Sequence, residues 1–238
     1  MVLEVPSMRN LPYFSVHHRL AIVTLLFIVS SAVVPAERKC PNTIHNTYQC
    51  SQYLERELAK GFPRLFSRDG LKLVISLTNG KKMTYVGMPD EKNHGVEGVW
   101  FNLVQYYPEI GYALVAVQYY EGSTCYLVNL TTGKDEDVIS IPVISPDRRR
   151  IAVANVDLES RYTPNVLSVF EIRPTGLATE FFEKPGDWGP GKLRWVTNEE
   201  ISFVQYSINP NYAPKEPEKF LLETPKKLKR SGRKWNIE

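Results

Sequence analysis

Two neighbouring stretches decide the fold: Tyr126–Lys134 (YLVNLTTGK) and Ser145–Val153 (SPDRRRIAV). The first is an apolar run that stops at Asn129 and turns through Thr131-Thr132-Gly133. In the second, Ser145-Pro146-Asp147 opens a tight turn, and Ile151–Val153 leaves it as a core strand. Apolar runs this short, bounded by turn residues and rich in β-branched and aromatic side chains, read as strands.

The same layout recurs on both sides. Leu71–Leu77 and Met83–Val86 flank Asn79-Gly80, a strong hairpin signal. Tyr112–Tyr119 and Cys125–Leu130 flank Glu121-Gly122, and Ile151–Val156 and Val166–Ile172 lead to Pro174-Thr175-Gly176. Leu193–Val196 and Ile201–Tyr206 flank Asn198-Glu199-Glu200. The modules begin near Ser67, Tyr106, Ser145 and Lys192, a period of about 40 residues, as in four-stranded propeller blades. The expected fold is mainly β: four-stranded meander modules over residues 62–208, propeller-like with four blades or an irregular, open variant, and one N-terminal helix. That helix lies in segment 37–61, with Asn46 as cap, Gln49 three residues on, Cys50, Leu54 and Leu58 on one stripe, and Gly61 and Pro63 as stop.

YLVNLTTGK followed by SPDRRRIAV resembles the strand, turn and strand signature of TolB-type and WD-like propeller blades, with Asn129 near the usual Asp and Arg148 in place of the usual Gly. Ser67-Arg68-Asp69-Gly70 is a looser second copy. The wider pattern is similar to uncharacterised exported bacterial proteins: a Cys-containing helix, Tyr119-Tyr120-Glu121-Gly122, a loop with Asp157, Tyr162, Pro164 and Asn165, and Trp188-Gly189-Pro190. The resemblance implies export and architecture and is almost silent on function.

Residues 1–36 read as a signal peptide. The apolar run Leu20–Val34 follows Arg9, His17, His18 and Arg19, is shorter than a bilayer-crossing helix and ends among small residues. Cleavage after Ala36 or Ala32 is expected, leaving no transmembrane anchor, and Met8 is an alternative start. The expected location is periplasmic or secreted. In such an oxidising compartment three cysteines permit one disulfide. Cys40 and Cys50 are the expected pair, with Cys50–Cys125 the alternative. Otherwise Cys125 is a buried small hydrophobe.

The formal charge of +3 conceals a mildly acidic body and a basic terminus. Residues 209–238 read as a Pro-rich, basic arm outside the core. Its six cations, Lys226, Lys227, Lys229, Arg230, Arg233 and Lys234, are candidates for binding an anionic surface, and truncation after Thr224 is expected to leave stability unchanged. Trp235 argues the other way, as an aromatic able to dock.

No nucleophile elbow, phosphate loop or zinc spacing is present, and no metal or cofactor is expected. His45 and His94, the two histidines outside the leader, read as loop residues. The most polar connection, Asp157 to Asn165, offers Asp157, Glu159, Tyr162 and Asn165, and with Tyr120 these are the candidate ligand-binding residues. The bland alternative is a long hairpin held by Asx-type turns. Tyr106-Tyr107 and Tyr119-Tyr120 place one ring on each strand face. The expected function is a non-enzymatic, exported binding or scaffold protein of the cell envelope, whose partner is an unknown envelope protein or glycan. The alternative is a carboxylate-dependent envelope hydrolase, which requires a second acid facing Asp157 or Glu159. Nucleic acid is not an expected partner.

Overall fold

The computed structural model describes residues 40–42, 47–88, 98–119, 121–212 and 220–238. The expected leader, the Asn46 cap, His45, His94 and Tyr120 lie outside the described residues. Four antiparallel meanders follow one another along the chain. The first sheet is β1 (Phe66–Asp69), β2 (Lys72–Ser76) and β3 (Lys82–Val86). The second is β4 (Trp100–Tyr107), β5 (Tyr112–Gln118), β6 (Ser123–Asn129) and β7 (Asp135–Asp137). The third is β8 (Val143–Ile144), β9 (Arg150–Asn155), β10 (Val166–Arg173) and β11 (Gly176–Glu183). The fourth is β12 (Trp188–Thr197), β13 (Glu200–Ile208), β14 (Leu221–Ser231) and β15 (Lys234–Ile237). Every described sheet keeps sequence order from edge to edge, so the arrangement is propeller-like.

Burial along the strands shows that it is open. In β5, Ala113 and Val115 pack with Leu73 and Ile75 of the first sheet, while Tyr112 and Leu114 pack with Ile151 and Val153 of the third. The third sheet is also covered twice, since Ala152, Leu167 and Val169 meet Ile201, Phe203 and Leu228 of the fourth. Strands buried on both faces read as continuous apolar runs, and those buried on one face alternate. β13 alternates: Ile201 and Phe203 are buried, whereas Ser202 and Val204 on its other face are half-exposed. The outer face of the fourth sheet carries Lys227–Glu200 (2.7 Å) and Lys229–Glu238 (2.6 Å), with Lys192–Glu223 (2.8 Å) at its loop end. A polar outer face is what a terminal repeat needs in order to end a stack.

Helix α1 (Thr47–Gly61) covers the free edge of β4. Glu55, buried on this helix, accepts the Leu103 N–H at 2.8 Å and holds the Arg68 guanidinium, with Nε at 2.6 Å. Arg68 also donates to Phe101 O at 2.6 Å. One ion pair thus satisfies edge groups that would otherwise need another strand. The Cys40–Cys50 disulfide ties the segment before the helix to its first turns, and Cys125 is a half-buried free thiol whose pKa burial, then Asp137, push up to about 11.

The expectation of a detached arm is corrected. Residues 221–237 are the third and fourth strands of the last sheet, with Leu228 and Trp235 buried. Inward-facing Leu228 and Trp235 contribute apolar burial that outweighs the Pro and Lys content. Pro225 is tolerated because β15 pairs only with Leu228–Ser231 of β14, leaving that side of Pro225 open. The paired tyrosines divide between two cores: Tyr107 is buried between the second and third sheets, and Tyr106 packs between the first and second. Tyr107 is buried and Tyr106 partly buried, so both rings of this pair serve the cores.

Candidate functional site

The sheets present two unlike ends. Tight turns between the first and second strands, and between the third and fourth, form one end. The connections between second and third strands form the other, and they lengthen along the chain: residues 119–122, then 156–165, then 209–220.

Asp157 builds the middle loop. Its Oδ1 accepts the N–H groups of Ser160 (3.0 Å) and Arg161 (2.9 Å), and its Oδ2 accepts the Thr163 N–H (2.9 Å) and hydroxyl (3.3 Å). The Thr163 N–H, followed by the other backbone donors, holds its carboxyl below the usual range against partial desolvation. Asn165, buried, accepts the Asp157 N–H at 2.7 Å, and Asn155 donates to Thr163 Oγ1 (3.0 Å) and Pro164 O (2.7 Å). Asp157 and Asn165 therefore shape the loop, as in the bland reading, and their acceptor atoms point inward on it. The Asp157 oxygens face the loop's own donors.

The loop is seated from two sides. A Cβ on Gly122 would lie 3.6 Å from both Tyr162 Cβ and Thr163 Cγ2, so the Glu121-Gly122 turn packs against it. Gly122 has φ +98°, which glycine adopts readily. On the fourth sheet, a Cβ on Gly189 would fall 2.4 Å from Val156 Cγ2 and 2.8 Å from Asn165 Oδ1. The Trp188-Gly189-Pro190 motif thus has a physical reason, because only a residue without a side chain lets the loop approach β12. Trp188 itself stacks on Phe203, with centroids 6.2 Å apart.

What the loop offers outward is a groove of about 430 Å³ lined by Leu158, Glu159, Arg161, Ile208, Tyr212 and Phe220. Its far wall is the connection from β13 to β14, where the Tyr212 and Phe220 rings meet edge to face at 5.0 Å. Arg161 stands at φ +57°, and Tyr162 remains 59% exposed beside the groove-forming residues. Of the expected ligand residues, Glu159 lines this groove, Tyr162 is exposed on the same loop, and Asp157 and Asn165 hold the loop in place. Sequence reading missed Arg161, Ile208, Tyr212 and Phe220. Tyr212 and Phe220 stand within the Pro-rich segment, among Pro210, Pro214, Pro217 and Pro225, and aromatics in that setting were the available signal.

The six basic candidates separate as well. Lys227 and Lys229 are paired with Glu200 and Glu238, and Arg230 reaches Glu180 (3.5 Å) and Glu199 (3.6 Å). Arg233 and Lys234 are exposed at the last hairpin, while Lys226 is half-buried. Asn129, first residue of a glycosylation sequon, is buried: it donates to Tyr112 Oη at 3.0 Å and accepts the N–H groups of Thr131 and Thr132. That side chain holds a turn and is not presented for modification.

Among the described residues no helix is long and apolar enough to cross a membrane, and no group of three or more His, Cys, Asp or Glu is placed to hold a metal ion. No family model matches the chain, and no curated protein matches it. Among solved structures, one from a study of two prolyl endopeptidases aligns at 12% identity with a TM-score of 0.30, covering 54% of this chain. The aligned part spans only 21% of that enzyme's length, and at this TM-score the likeness carries no argument about fold or activity.

Proposed function

We propose that this chain is a non-enzymatic, exported binding or scaffold protein of the cell envelope, and that it takes its ligand at the end of the sheets where the long connections lie. The observation that carries the reading is the groove between the Leu158–Arg161 segment and the Ile208, Tyr212 and Phe220 wall. It combines Leu158, Ile208 and two aromatic rings with one acid and one guanidinium, the mixture that binds a glycan ring or an extended side chain with defined orientation. Loops on a rigid scaffold are where such residues concentrate. The Cys40–Cys50 bridge supports the oxidising compartment that export requires.

The test compares the wild type with Arg161→Ala/Tyr212→Ala, neither residue being buried in the cores between sheets. Affinity capture from envelope extract is followed by titration of the purified captured species, and soluble envelope glycan fragments are titrated separately. The expected result is a species, protein or glycan, bound by the wild type and weakened at least tenfold by the double variant. Equal binding by both proteins would remove the groove from the function.

A further inference from the structure

The opposite end of the third and fourth sheets holds a surplus of positive charge. Its geometry is fixed by short turns. In the β8–β9 turn, Ser145 Oγ donates to Asp147 Oδ1 (2.7 Å), the Arg148 N–H to Ser145 O (2.9 Å) and the Arg149 N–H to Asp147 Oδ1 (3.1 Å). The Asp147 N–H donates to Asn198 Oδ1 at 3.0 Å, which pins this turn to the one between β12 and β13. The Arg230 N–H donates to Glu199 O at 2.9 Å, which brings the β14–β15 hairpin alongside. Three turn tips from two sheets therefore stand together.

The acids at this end are already committed. Glu180 receives Arg150 through Nε (2.6 Å) and Nη2 (3.1 Å) and also faces Arg230, whose other Nη lies 3.6 Å from Glu199. Asp147 serves the turn backbone and lies 4.0 Å from Arg150, and Glu171 holds Arg173 at 2.7 Å. Arg230 Nε is buried without any acceptor, so donors exceed acceptors even inside the cluster. Arg148, Arg149, Arg233 and Lys234 are exposed, and no carboxylate among the described residues lies within ion-pair distance of them. Arg148 stands at φ +60° at the apex of its turn.

From this juxtaposition we propose that the turn end is an electrostatic docking face for an anionic phospholipid surface, met through Arg148, Arg149, Arg233 and Lys234. Cations at the tips of neighbouring turns are the first groups to meet a plane of headgroups. A polyanionic strand is instead tracked along a groove, and the two grooves described lie elsewhere: one at the loop end, the other lined by Lys192, Val204, Lys227 and Glu238. The exposed rings Tyr119 and Tyr162 are on connections of the loop end, so docking at the turn end rests on charge, without aromatic insertion. Bound in this way, the protein turns its groove away from the membrane. The inference uses none of the groove residues and stands or falls separately from the reading of the groove.

The test is co-sedimentation of the full chain with vesicles of equal parts phosphatidylglycerol and phosphatidylcholine, read as the difference from phosphatidylcholine alone. The apolar run Leu20–Val34 and the cations Arg9 and Arg19 ahead of it are common to all variants and cancel when variants are compared with the wild type. The wild type should bind the anionic vesicles and lose most of the binding as salt rises, because exposed charges are screened over about 8 Å at physiological ionic strength. Arg148→Ser/Arg149→Ser/Arg233→Ser/Lys234→Ser should lose roughly a hundredfold in partitioning, since each cation near such a surface adds a separate increment. The pairs Arg148→Ser/Arg149→Ser and Arg233→Ser/Lys234→Ser should each lose about tenfold, which keeps the test decisive if the fourfold variant folds poorly. Lys184→Ser, exposed at the loop end and outside the groove, should bind as the wild type does. Unchanged binding by both pairs, absence of wild-type binding at low salt, or tighter binding to soluble polyphosphate than to the anionic vesicles at equal phosphate concentration would each overturn the proposal.

Discussion

Asp157 and Glu180 are both carboxylates with their oxygens filled by donors, yet they work over different distances. The partners of Asp157 lie three to six residues away, inside one loop. Those of Glu180 lie 30 residues back, at Arg150, and 55 residues on, at Trp235, whose indole N–H reaches Oε2 at 3.1 Å. A carboxylate with local partners fixes the shape of a connection, whereas one with distant partners joins sheets. The difference teaches that the loop end is shaped independently of the fold's cohesion, and that the turn end carries part of the cohesion itself.

Trp235→Ala should show the largest effect. The ring is buried, meets Trp195 edge to face at 5.9 Å and donates to Glu180, so its loss should cost about 3–5 kcal/mol, read as a lowered denaturation midpoint. A change within a few tenths of a kcal/mol would return the C-terminal strands to the status of a loose arm. Glu180→Ala should cost about 2 kcal/mol, below the cost of breaking a fully buried pair, because this side chain is 16% exposed. Burial raises the Glu180 pKa, but the hydrogen bonds from Arg150 and Trp235 and the charges of Arg150 and Arg230 outweigh it and leave the folded value below 4.5. Its contribution is therefore complete above about pH 4.5 and is lost as pH falls through the depressed folded value. Glu180→Gln should flatten that acid limb of the stability profile, and an unchanged limb would assign it to other carboxylates. Asp157→Ala should be the mildest, about 1 kcal/mol, with faster amide exchange confined to residues 158–165. A global loss equal to that of Glu180→Ala would erase the contrast between the two carboxylates.

Much of the fold was legible because turn residues punctuate it. Asn79-Gly80, Glu121-Gly122, Ser145-Pro146-Asp147 and Pro174-Thr175 each sit between observed strands. The last two strands were hidden for a specific reason. On β14 the inward-facing positions include Leu228 and Arg230, and the guanidinium is accepted in the interior only because Glu180 waits on another sheet. Lys227 and Lys229 look like a solvated run until Glu200 and Glu238 are brought opposite them. Pairings across distant sequence leave no local period. The same limit applied to the site: the Asp157 loop was visible as a polar connection, but its groove needs Ile208 at the end of β13 and Tyr212 and Phe220 in the connection after it, 50 or more residues later.

The strict sequence order of the sheets has a consequence for how the chain acquires its structure. Each meander contains only strands that follow one another, and each described core joins a sheet to the next one along the chain. No strand among those described is lent from one terminus to a sheet at the other. Loop closure is therefore short-range at nearly every step, which favours rapid folding for a β protein. A completed sheet can wait for its successor with one face exposed, and folding can advance from the N-terminal side as the polypeptide emerges, ending when β14 and β15 close the last seam through Trp235 and Arg230.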